Sequence, residues 1–318
     1  MSLFRKPTEN KAGIKFLVYG KTGSGKSLFG LSFPKSVAID TENGLTFYEG
    51  TDRGKNLIGI LNTQSHRDVE NAFDEMEDIV EEQGVKTIVI DSITKIREHV
   101  IEVVTNIDEK RARRDGKSIE EANTSMRSWG RVKHNMQKLQ NKMIDLTSKG
   151  VNVVYTSQSK DIKEKQGDQF VTVGQEMDAQ KGTDYDFDVI LYMFKEETAN
   201  GTVFKARVEK DRSETFKVGT ILENPSYENW KESIEGRKGK TLETSYTENV
   251  EADKQEYEEE LDNESKTLEE RAKEIVENIS EDDLKNFKAD LKKAKINKFT
   301  GLTKIQSENL SKIIDKYS

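Results

Sequence analysis

A glycine-rich segment near the beginning of the sequence combines the residue types and spacing that bind phosphate. Residues 20–27 are Gly-Lys-Thr-Gly-Ser-Gly-Lys-Ser and match the pattern G-x-x-x-x-G-K-[ST]. An apolar run at 16–19 precedes the segment, and a helix-forming run follows it. Glycines let backbone N–H groups point at phosphate oxygens beside the start of the following helix. We therefore predict a nucleotide-binding loop between a strand and a helix.

Individual side chains of this loop have separate expected roles. The Lys26 ammonium is expected to contact the β- and γ-phosphates of a nucleoside triphosphate, and the Ser27 hydroxyl to coordinate Mg²⁺. The expected cofactors are therefore ATP and Mg²⁺. The expected nucleotide ligands are the whole run Gly20, Lys21, Thr22, Gly23, Ser24, Gly25, Lys26, Ser27 and Leu28.

Two further apolar runs end in acidic residues. The run 86–91 ends at Asp91, and the run from residue 37 ends at Asp40 and Glu42. Ligands bind at the carboxyl ends of strands in open α/β sheets, so we expect Asp91 to hold Mg²⁺ directly or through water. Glu42 is the candidate for orienting the attacking water. Asp40 is the alternative candidate. It lies closer to the strand, and a structural role would explain it equally well.

A fourth apolar run, 152–158, ends in the neutral amide of Gln158. An amide at this edge can donate a hydrogen bond to a γ-phosphate and transmit its loss to the next loop. The alternative is a polar residue that simply follows a strand.

Short β-branched runs alternate with helical patterns along the first three quarters of the chain. This alternation predicts a doubly wound α/β fold whose sheet is mainly parallel. The last three strands follow one another with short turns, which predicts antiparallel strands at one end of the sheet. Strands are predicted at 15–19, 36–40, 57–61, 86–91, 151–156, 188–194, 203–209 and 216–222, and helices at about 27–33, 67–83 and 118–149.

Composition excludes several classes of protein. The chain has 318 residues, no cysteine and three separated histidines, which excludes disulfide scaffolds, thiolate metal sites and histidine-rich metal sites. No apolar run is long enough for a membrane helix, so we expect a soluble, cytoplasmic protein without a membrane partner. The net charge is −8, but residues 251–270 contain ten acidic and two basic residues. The rest of the chain is therefore balanced, which leaves room for a basic surface.

The charge and hydropathy patterns divide the chain into three parts. Residues 1–235 form the predicted α/β core, residues 236–265 are predicted to be an acidic flexible linker, and residues 266–318 are predicted to form a small helical module. In the last part, apolar residues recur at helical spacing from Leu268 onward.

These elements, in this order, resemble the RecA-like recombinase and ATPase family. The resemblance covers about residues 12–225, and within the family it is to the short phage-encoded proteins of recombination and single-strand annealing. It implies a P-loop NTPase fold in which the Gln158 strand lies between the P-loop strand and the Asp91 strand. It also implies that Glu42 is the catalytic glutamate, Asp91 the Walker B carboxylate and Gln158 the γ-phosphate sensor.

The segment 208–217 is similar to the family segment whose two basic residues contact the ATP of a neighbouring subunit. The resemblance assigns these roles to Lys210 and Arg212, so that the catalytic set is Lys26, Glu42, Gln158, Lys210 and Arg212. It implies a homo-oligomer with ATP at subunit interfaces and leaves both rings and filaments open.

Two long connections follow the Asp91 and Gln158 strands, where RecA-like proteins place their DNA loops. The first contains a basic cluster, and the second, at about 159–183, contains lysines and one aromatic side chain suited to stacking. A solvated charged turn and a disordered loop are the respective alternatives. The candidate DNA contacts are Lys110, Arg111, Arg113, Arg114, Lys160, Lys163, Lys165 and Phe170.

The predicted function is ATP binding and hydrolysis coupled to single-stranded DNA in phage recombination or annealing, in the cytoplasm of a bacterial host. The alternative is a nucleotide-gated annealing or loading module in which hydrolysis is incidental; a small-molecule kinase is a third reading. A single-strand DNA-binding protein is a further expected partner, bound through the C-terminal helices.

Overall fold

The computed structural model describes residues 11–114, 116, 125–166, 169–199, 201–241, 246–265, 268–299 and 302–317. The chain forms two compact units, Met1–Thr247 and Glu248–Ser318. None of the helices in these ranges is long and apolar enough to cross a membrane.

The first unit is built on one mixed sheet. Its strands are β1 (Lys15–Gly20), β2 (Ser36–Asp40), β3 (Leu57–Asn62), β4 (Thr87–Asp91), β5 (Asn152–Gln166), β6 (Gln169–Met177), β7 (Val189–Thr198), β8 (Gly201–Asp211) and β9 (Ile221–Glu223). The order across the sheet is β3-β2-β4-β5-β1-β7-β8-β9, and β6 pairs only with β5. The first six strands in this order, from β3 to β7, are parallel to one another. Strand β8 pairs antiparallel with β7, and β9 pairs antiparallel with β8. The predicted fold class is confirmed, with β5 between β1 and β4.

The described helices are α1 (Lys26–Leu31), α2 (His66–Gln83), α3 (Ile93–Arg114), α4 (Met126–Ser148), α5 (Lys231–Glu235), α6 (Tyr246–Ser265), α7 (Leu268–Asn278), α8 (Glu281–Lys293) and α9 (Lys304–Tyr317). Of these, α6 begins at the end of the first unit, and α7 to α9 lie in the second unit.

Burial on both faces explains the continuous apolar runs of the central strands. Alternate residues of β1 belong to two separate cores, with Leu17 and Tyr19 on one face and Phe16 and Val18 on the other. Helices α2, α3 and α4 cover the first face. On the second face, α1 packs with the fully buried Trp230, whose ring centroid lies 5.3 Å from that of Phe16. The P-loop strand is thus held rigidly at the centre of the sheet.

The second long connection is not the irregular loop that the sequence predicts. Strand β5 continues beyond the sheet and pairs with β6 in an antiparallel hairpin from Ser159 to Met177. Both faces of this two-stranded ribbon are largely exposed, so its residues carry no alternation of buried and polar positions that would predict strands.

Three other expectations are corrected. The basic cluster at residues 110–114 is the last turn of α3 rather than part of a loop. The strand predicted at 216–222 is reduced to the three residues of β9. Residues 246–265, predicted as flexible linker, form α6, because glutamate and lysine favour helices even when the segment has no apolar face.

The second unit contains a small helical core. Phe287, Leu310 and Ile314 are fully buried and pack with Ala272 and Ile275. Helix α8 begins at a serine cap, where Ser280 Oγ accepts the backbone N–H of Asp283 at 3.2 Å.

Candidate nucleotide site

The glycine-rich loop joins the end of β1 to the start of α1. Gly23 and Gly25 have positive φ angles of 68° and 91°. A Cβ atom on Gly25 would lie 2.9 Å from the ring of Phe204, so both conformation and space require glycine there. The backbone of the loop can therefore approach a ligand closely, as the motif predicts.

The Lys26 ammonium lies inside the loop. Its Nζ donates hydrogen bonds to the carbonyl oxygens of Gly20 and Lys21, each at 3.0 Å. Burial lowers the pKa of Lys26, and the nearby Asp91 and Glu42 carboxylates oppose this effect. Anionic phosphate oxygens would accept stronger hydrogen bonds from this ammonium group than the two carbonyl oxygens do.

Ser27 and Asp91 form the predicted pair of oxygen donors. Ser27 Oγ donates to Asp91 Oδ2 at 2.6 Å, and Thr156 Oγ1 donates to the other carboxylate oxygen. Burial raises the pKa of Asp91, and the two hydroxyl hydrogen bonds act against this rise. Mg²⁺ in nucleotide sites is typically bound by one or two protein oxygen ligands together with the phosphates, and this hydroxyl and carboxylate are ligands of that kind. The described residues contain no group of three His, Cys, Asp or Glu side chains that would form an all-protein metal cage.

The structure distinguishes the two acidic candidates after β2. The Asp40 carboxylate accepts the backbone N–H groups of Glu42, Gly44 and Leu45 at 2.8–3.2 Å. Asp40 is only 2% exposed, and its hydrogen bonds stabilise the turn after β2. Glu42 instead lines the cleft beside the glycine-rich loop. This geometry favours Glu42 over Asp40 as the group that orients water.

Gln158 is brought directly to Glu42. Its Nε2 donates to Glu42 Oε1 at 2.9 Å, and Ser92 Oγ donates to the same oxygen at 2.8 Å. The backbone N–H of Gln158 donates to Thr94 Oγ1 at 3.0 Å, which fixes the residue at the point where β5 leaves the sheet. The candidate base and the candidate sensor therefore form one hydrogen-bonded group.

These residues surround a cleft of about 780 Å³. Its lining includes Gly20 to Leu28, Glu42, Asp91 and Gln158, and also Tyr48, Arg53 and Phe204, which the sequence patterns did not predict. Tyr48 and Arg53 belong to short turns after β2, and no motif marks them; their only sequence signal is proximity to Glu42.

Lys210 and Arg212 are not brought to this cleft. Lys210 Nζ donates to the carbonyl oxygens of Asp184 and Tyr185 at 2.8 and 3.2 Å, and Arg212 contacts the second of these at 3.2 Å. The backbone N–H of Arg212 donates to Asp188, whose own backbone N–H donates to Lys15 at the beginning of β1. The glycine-rich loop follows the other end of β1, roughly 17 Å away. These two residues therefore lie too far away to contact a nucleotide in their own subunit.

The candidate DNA residues occupy two regular elements. Lys110, Arg111, Arg113 and Arg114 are on the last turns of α3, whose first turn contacts Gln158 through Thr94. Lys160, Lys163, Lys165 and Phe170 are on the β5–β6 hairpin, where Phe170 is 70% exposed and Lys160 pairs with Glu176 at 3.5 Å. The hairpin cluster therefore continues directly from the nucleotide site, whereas the α3 cluster is separated from Thr94 by about 30 Å of helix.

The glycine-rich loop, the Ser27–Asp91 pair and the sheet order are those of a P-loop NTPase with a RecA-like fold. A family model described as an AAA domain matches residues 12–252, and the chain belongs to this family, for which nucleotide hydrolysis is the expected activity. No curated protein matches the sequence. Among solved structures, a KaiC-like protein from the hyperthermophilic archaeon Pyrococcus horikoshii is 14% identical, with a TM-score of 0.38; the match covers 67% of this chain and 90% of that protein.

Proposed function

We propose that this protein is a DNA-dependent ATPase that acts on single-stranded DNA in recombination or annealing. The observation that carries the proposal is the position of Gln158. It contacts Glu42 in the nucleotide cleft and is followed directly by the hairpin that carries Lys160, Lys163, Lys165 and Phe170. Loss of the γ-phosphate would therefore change the contacts of Gln158 and, through it, the position of the β5–β6 hairpin with its lysines and Phe170.

The side chains of the cleft have complementary roles in this proposal. Bound ATP with Mg²⁺ would supply the γ-phosphoryl group that is transferred to water. Ser27 and Asp91 would hold the metal ion, and Lys26 would stabilise negative charge on the phosphates. Glu42 would orient the attacking water and accept its proton. Gln158, released from Glu42, would donate to the γ-phosphate.

Assembly completes the site in this proposal. Lys210 and Arg212 lie at the opposite end of β1 from their own P-loop, so a role in hydrolysis requires contact with the nucleotide of a neighbouring subunit. A repeated head-to-tail contact of this kind generates rings or filaments. We propose such a homo-oligomer, in a bacterial cytoplasm and of phage origin, with a single-strand DNA-binding protein as a further partner of the C-terminal helices.

A second candidate function is a nucleotide-gated annealing module. It is favoured by the hydrogen bonds that Ser92 and Gln158 both donate to Glu42 Oε1, because they occupy an oxygen that would otherwise be open to the attacking water. In that case ATP binding orders the hairpin, and turnover is incidental.

ATP turnover with and without single-stranded DNA tests the first function. We expect DNA to raise the rate at least tenfold in wild type, and K163Q/K165Q to reduce this stimulation while leaving the DNA-free rate unchanged. K86Q/K238Q removes two exposed lysines outside the hairpin and the 208–217 segment and should behave as wild type. DNA binding without any stimulation would favour the annealing module, and no DNA binding in the presence of ATP would contradict both functions.

Tyr48 provides a separate test of the cleft. An aromatic face in a nucleotide cleft is suited to stacking on a base, which is worth about 1–3 kcal/mol by alanine substitution. We expect Tyr48→Ala to raise the KM for ATP roughly tenfold or more with little change in kcat, and Tyr48→Phe to remain close to wild type. A kcat loss at unchanged KM would contradict a base-binding role.

A further inference from the structure

The second unit carries a concentrated basic surface that the nucleotide site does not use. Residues 284–299 contain six lysines and a single acidic residue, Asp290. All six lysines are exposed: Lys285, Lys288, Lys292, Lys293, Lys295 and Lys298. Ten of the nineteen acidic residues of this unit lie in 251–270, and sixteen precede residue 284. Charge is therefore segregated along the unit rather than mixed, as on an ordinary solvated surface.

Three of these lysines form one stripe on α8. Lys285, Lys288 and Lys292 follow one another at spacings of three and four residues, which places them on the same side of a helix. The buried residues Phe287 and Leu291 occupy a different side and belong to the core of the unit. The stripe extends over roughly 10.5 Å along the helix axis. Interaction with the helix dipole would explain lysines only in the last turn of α8. It does not explain Lys285, which lies two turns before Lys292.

The single acidic residue of this segment does not neutralise the stripe. Asp290 accepts hydrogen bonds from Lys316 Nζ at 2.7 Å and Tyr317 Oη at 2.9 Å, and pairs with Lys293 at 3.3 Å. These contacts lower the pKa of Asp290 to about 2. Within the described part of the chain, Lys288, Lys292, Lys295 and Lys298 have no ion-pair partner.

Lysines along one side of a helix, of which Lys288 and Lys292 have no ion-pair partner within the described residues, match a polyanion. One strand of B-form DNA carries a phosphate about every 3.4 Å of helix axis, so a stripe of this length faces roughly three phosphates. The aromatic residues of the segment, Phe287 and Phe299, pack in the core of the unit and are not presented for base stacking. The surface is therefore suited to the phosphate backbone rather than to unstacked bases.

We propose that the lysines of α8 and of the turn that follows it form a second DNA contact, which binds the phosphate backbone without requiring nucleotide. This inference rests on the proposed function in that it assigns the protein a DNA ligand, but it concerns a different unit of the chain. Its charge-based contact favours duplex over single-stranded DNA, because duplex DNA has the higher charge density. The P-loop unit would supply the ATP-dependent contact with single strands.

The test is DNA binding by the full-length protein, measured by fluorescence anisotropy over a salt series with a labelled duplex and its single strand, with and without ATP. The variant K288Q/K292Q/K298Q removes three exposed lysines of the basic surface. The control K254Q/K273Q/K312Q removes three exposed lysines elsewhere in the same unit and has the same net charge. Glutamine retains high helix propensity, and thermal melts of both variants check that the unit folds.

Without ATP, we expect K288Q/K292Q/K298Q to weaken duplex binding on the order of 100-fold at 0.1 M salt and to reduce the salt slope by roughly 2 to 3. The control should stay close to wild type, and the DNA-free ATPase rate should not change in either variant. Equal losses in both variants, or no loss in either, would overturn the inference; the latter would assign the basic surface to an acidic protein partner instead.

The two proposals fail in different ways. If wild type binds DNA only in the presence of ATP, the second contact is contradicted while the DNA-dependent ATPase stands. If wild type binds duplex through α8 without ATP but DNA never stimulates hydrolysis, the second contact stands and the proposed function is contradicted.

Discussion

Arg212→Ala is expected to reduce ATP hydrolysis by about 10³- to 10⁵-fold, the range that a cation supplied from a neighbouring subunit contributes in P-loop enzymes. The cleft of one subunit holds the P-loop, whereas Arg212 lies at the far end of β1 and contacts the carbonyl of Tyr185. The variant should therefore still bind ATP, because its own cleft is intact. The specific rate of wild type should rise with protein concentration as subunits assemble.

Mixing two inactive proteins tests the same contact without relying on one substitution. Lys26→Ala lacks the P-loop ammonium but retains Arg212, and Arg212→Ala has the opposite defect. In an equimolar mixed assembly with a head-to-tail interface, about a quarter of the sites combine both intact residues and should recover activity.

Two further variants separate a catalytic effect from loss of structure. Arg212→Lys retains the charge and should keep measurable turnover. Arg207→Ala removes an arginine from the same strand that is engaged by Glu209 and the ring of Tyr192, and it should hydrolyse ATP like wild type. A concentration-independent rate from a proven monomer, or no recovery in the mixture, would reject the role in trans and leave Arg212 as a structural residue.

Glu42→Gln is expected to lower kcat by about 10²- to 10⁴-fold while ATP binding is retained. The amide oxygen can still accept the hydrogen bonds from Ser92 and Gln158, so the geometry around the cleft is conserved. What is lost is the charge that orients water and accepts its proton. Single-turnover hydrolysis and equilibrium binding of ATP, measured on the same sample, separate the two effects.

Asp40→Asn is the matched substitution two residues earlier. It weakens an acceptor of three backbone N–H groups, and we expect it to lower the free energy of unfolding by about 2 kcal/mol. Its turnover per folded molecule should remain near that of wild type. If Asp40→Asn instead abolished hydrolysis at unchanged stability, and Glu42→Gln did not, the two assignments would have to be exchanged.

Much of the nucleotide site could be predicted from the sequence, because it depends on local patterns at strand ends. Continuous apolar runs indicated strands that are buried on both faces, and β1, β4 and the first part of β5 are such strands. In a parallel sheet the carboxyl ends lie at one edge. The residues that end these runs, Asp91 and Gln158, therefore meet the glycine-rich loop in one cleft.

The sequence could not predict features that depend on how weakly patterned segments pack. The hairpin after Gln158 buries little surface, so its strands show no apolar alternation. The acidic segment of α6 contains good helix formers but no apolar stripe, and composition alone indicated a linker. In both segments backbone pairing, rather than burial of side chains, determines the structure.

The sequence by itself predicted the chemistry of the loop and the mainly parallel sheet, because each follows from a short local pattern. The position of the Gln158 strand between the P-loop strand and the Asp91 strand was implied by the resemblance to the RecA-like family, not by any local pattern. Only the tertiary structure distinguishes the surroundings of Asp40 and Glu42, since Asp40 accepts three backbone N–H groups whereas Glu42 lines the cleft. The antiparallel register of β8 against β7 places Lys210 and Arg212 away from their own nucleotide cleft. The family resemblance implied this separation, but no local pattern of residues could show it. A residue's type and spacing predict what it can bind, whereas the pairing of distant strands determines what it can reach.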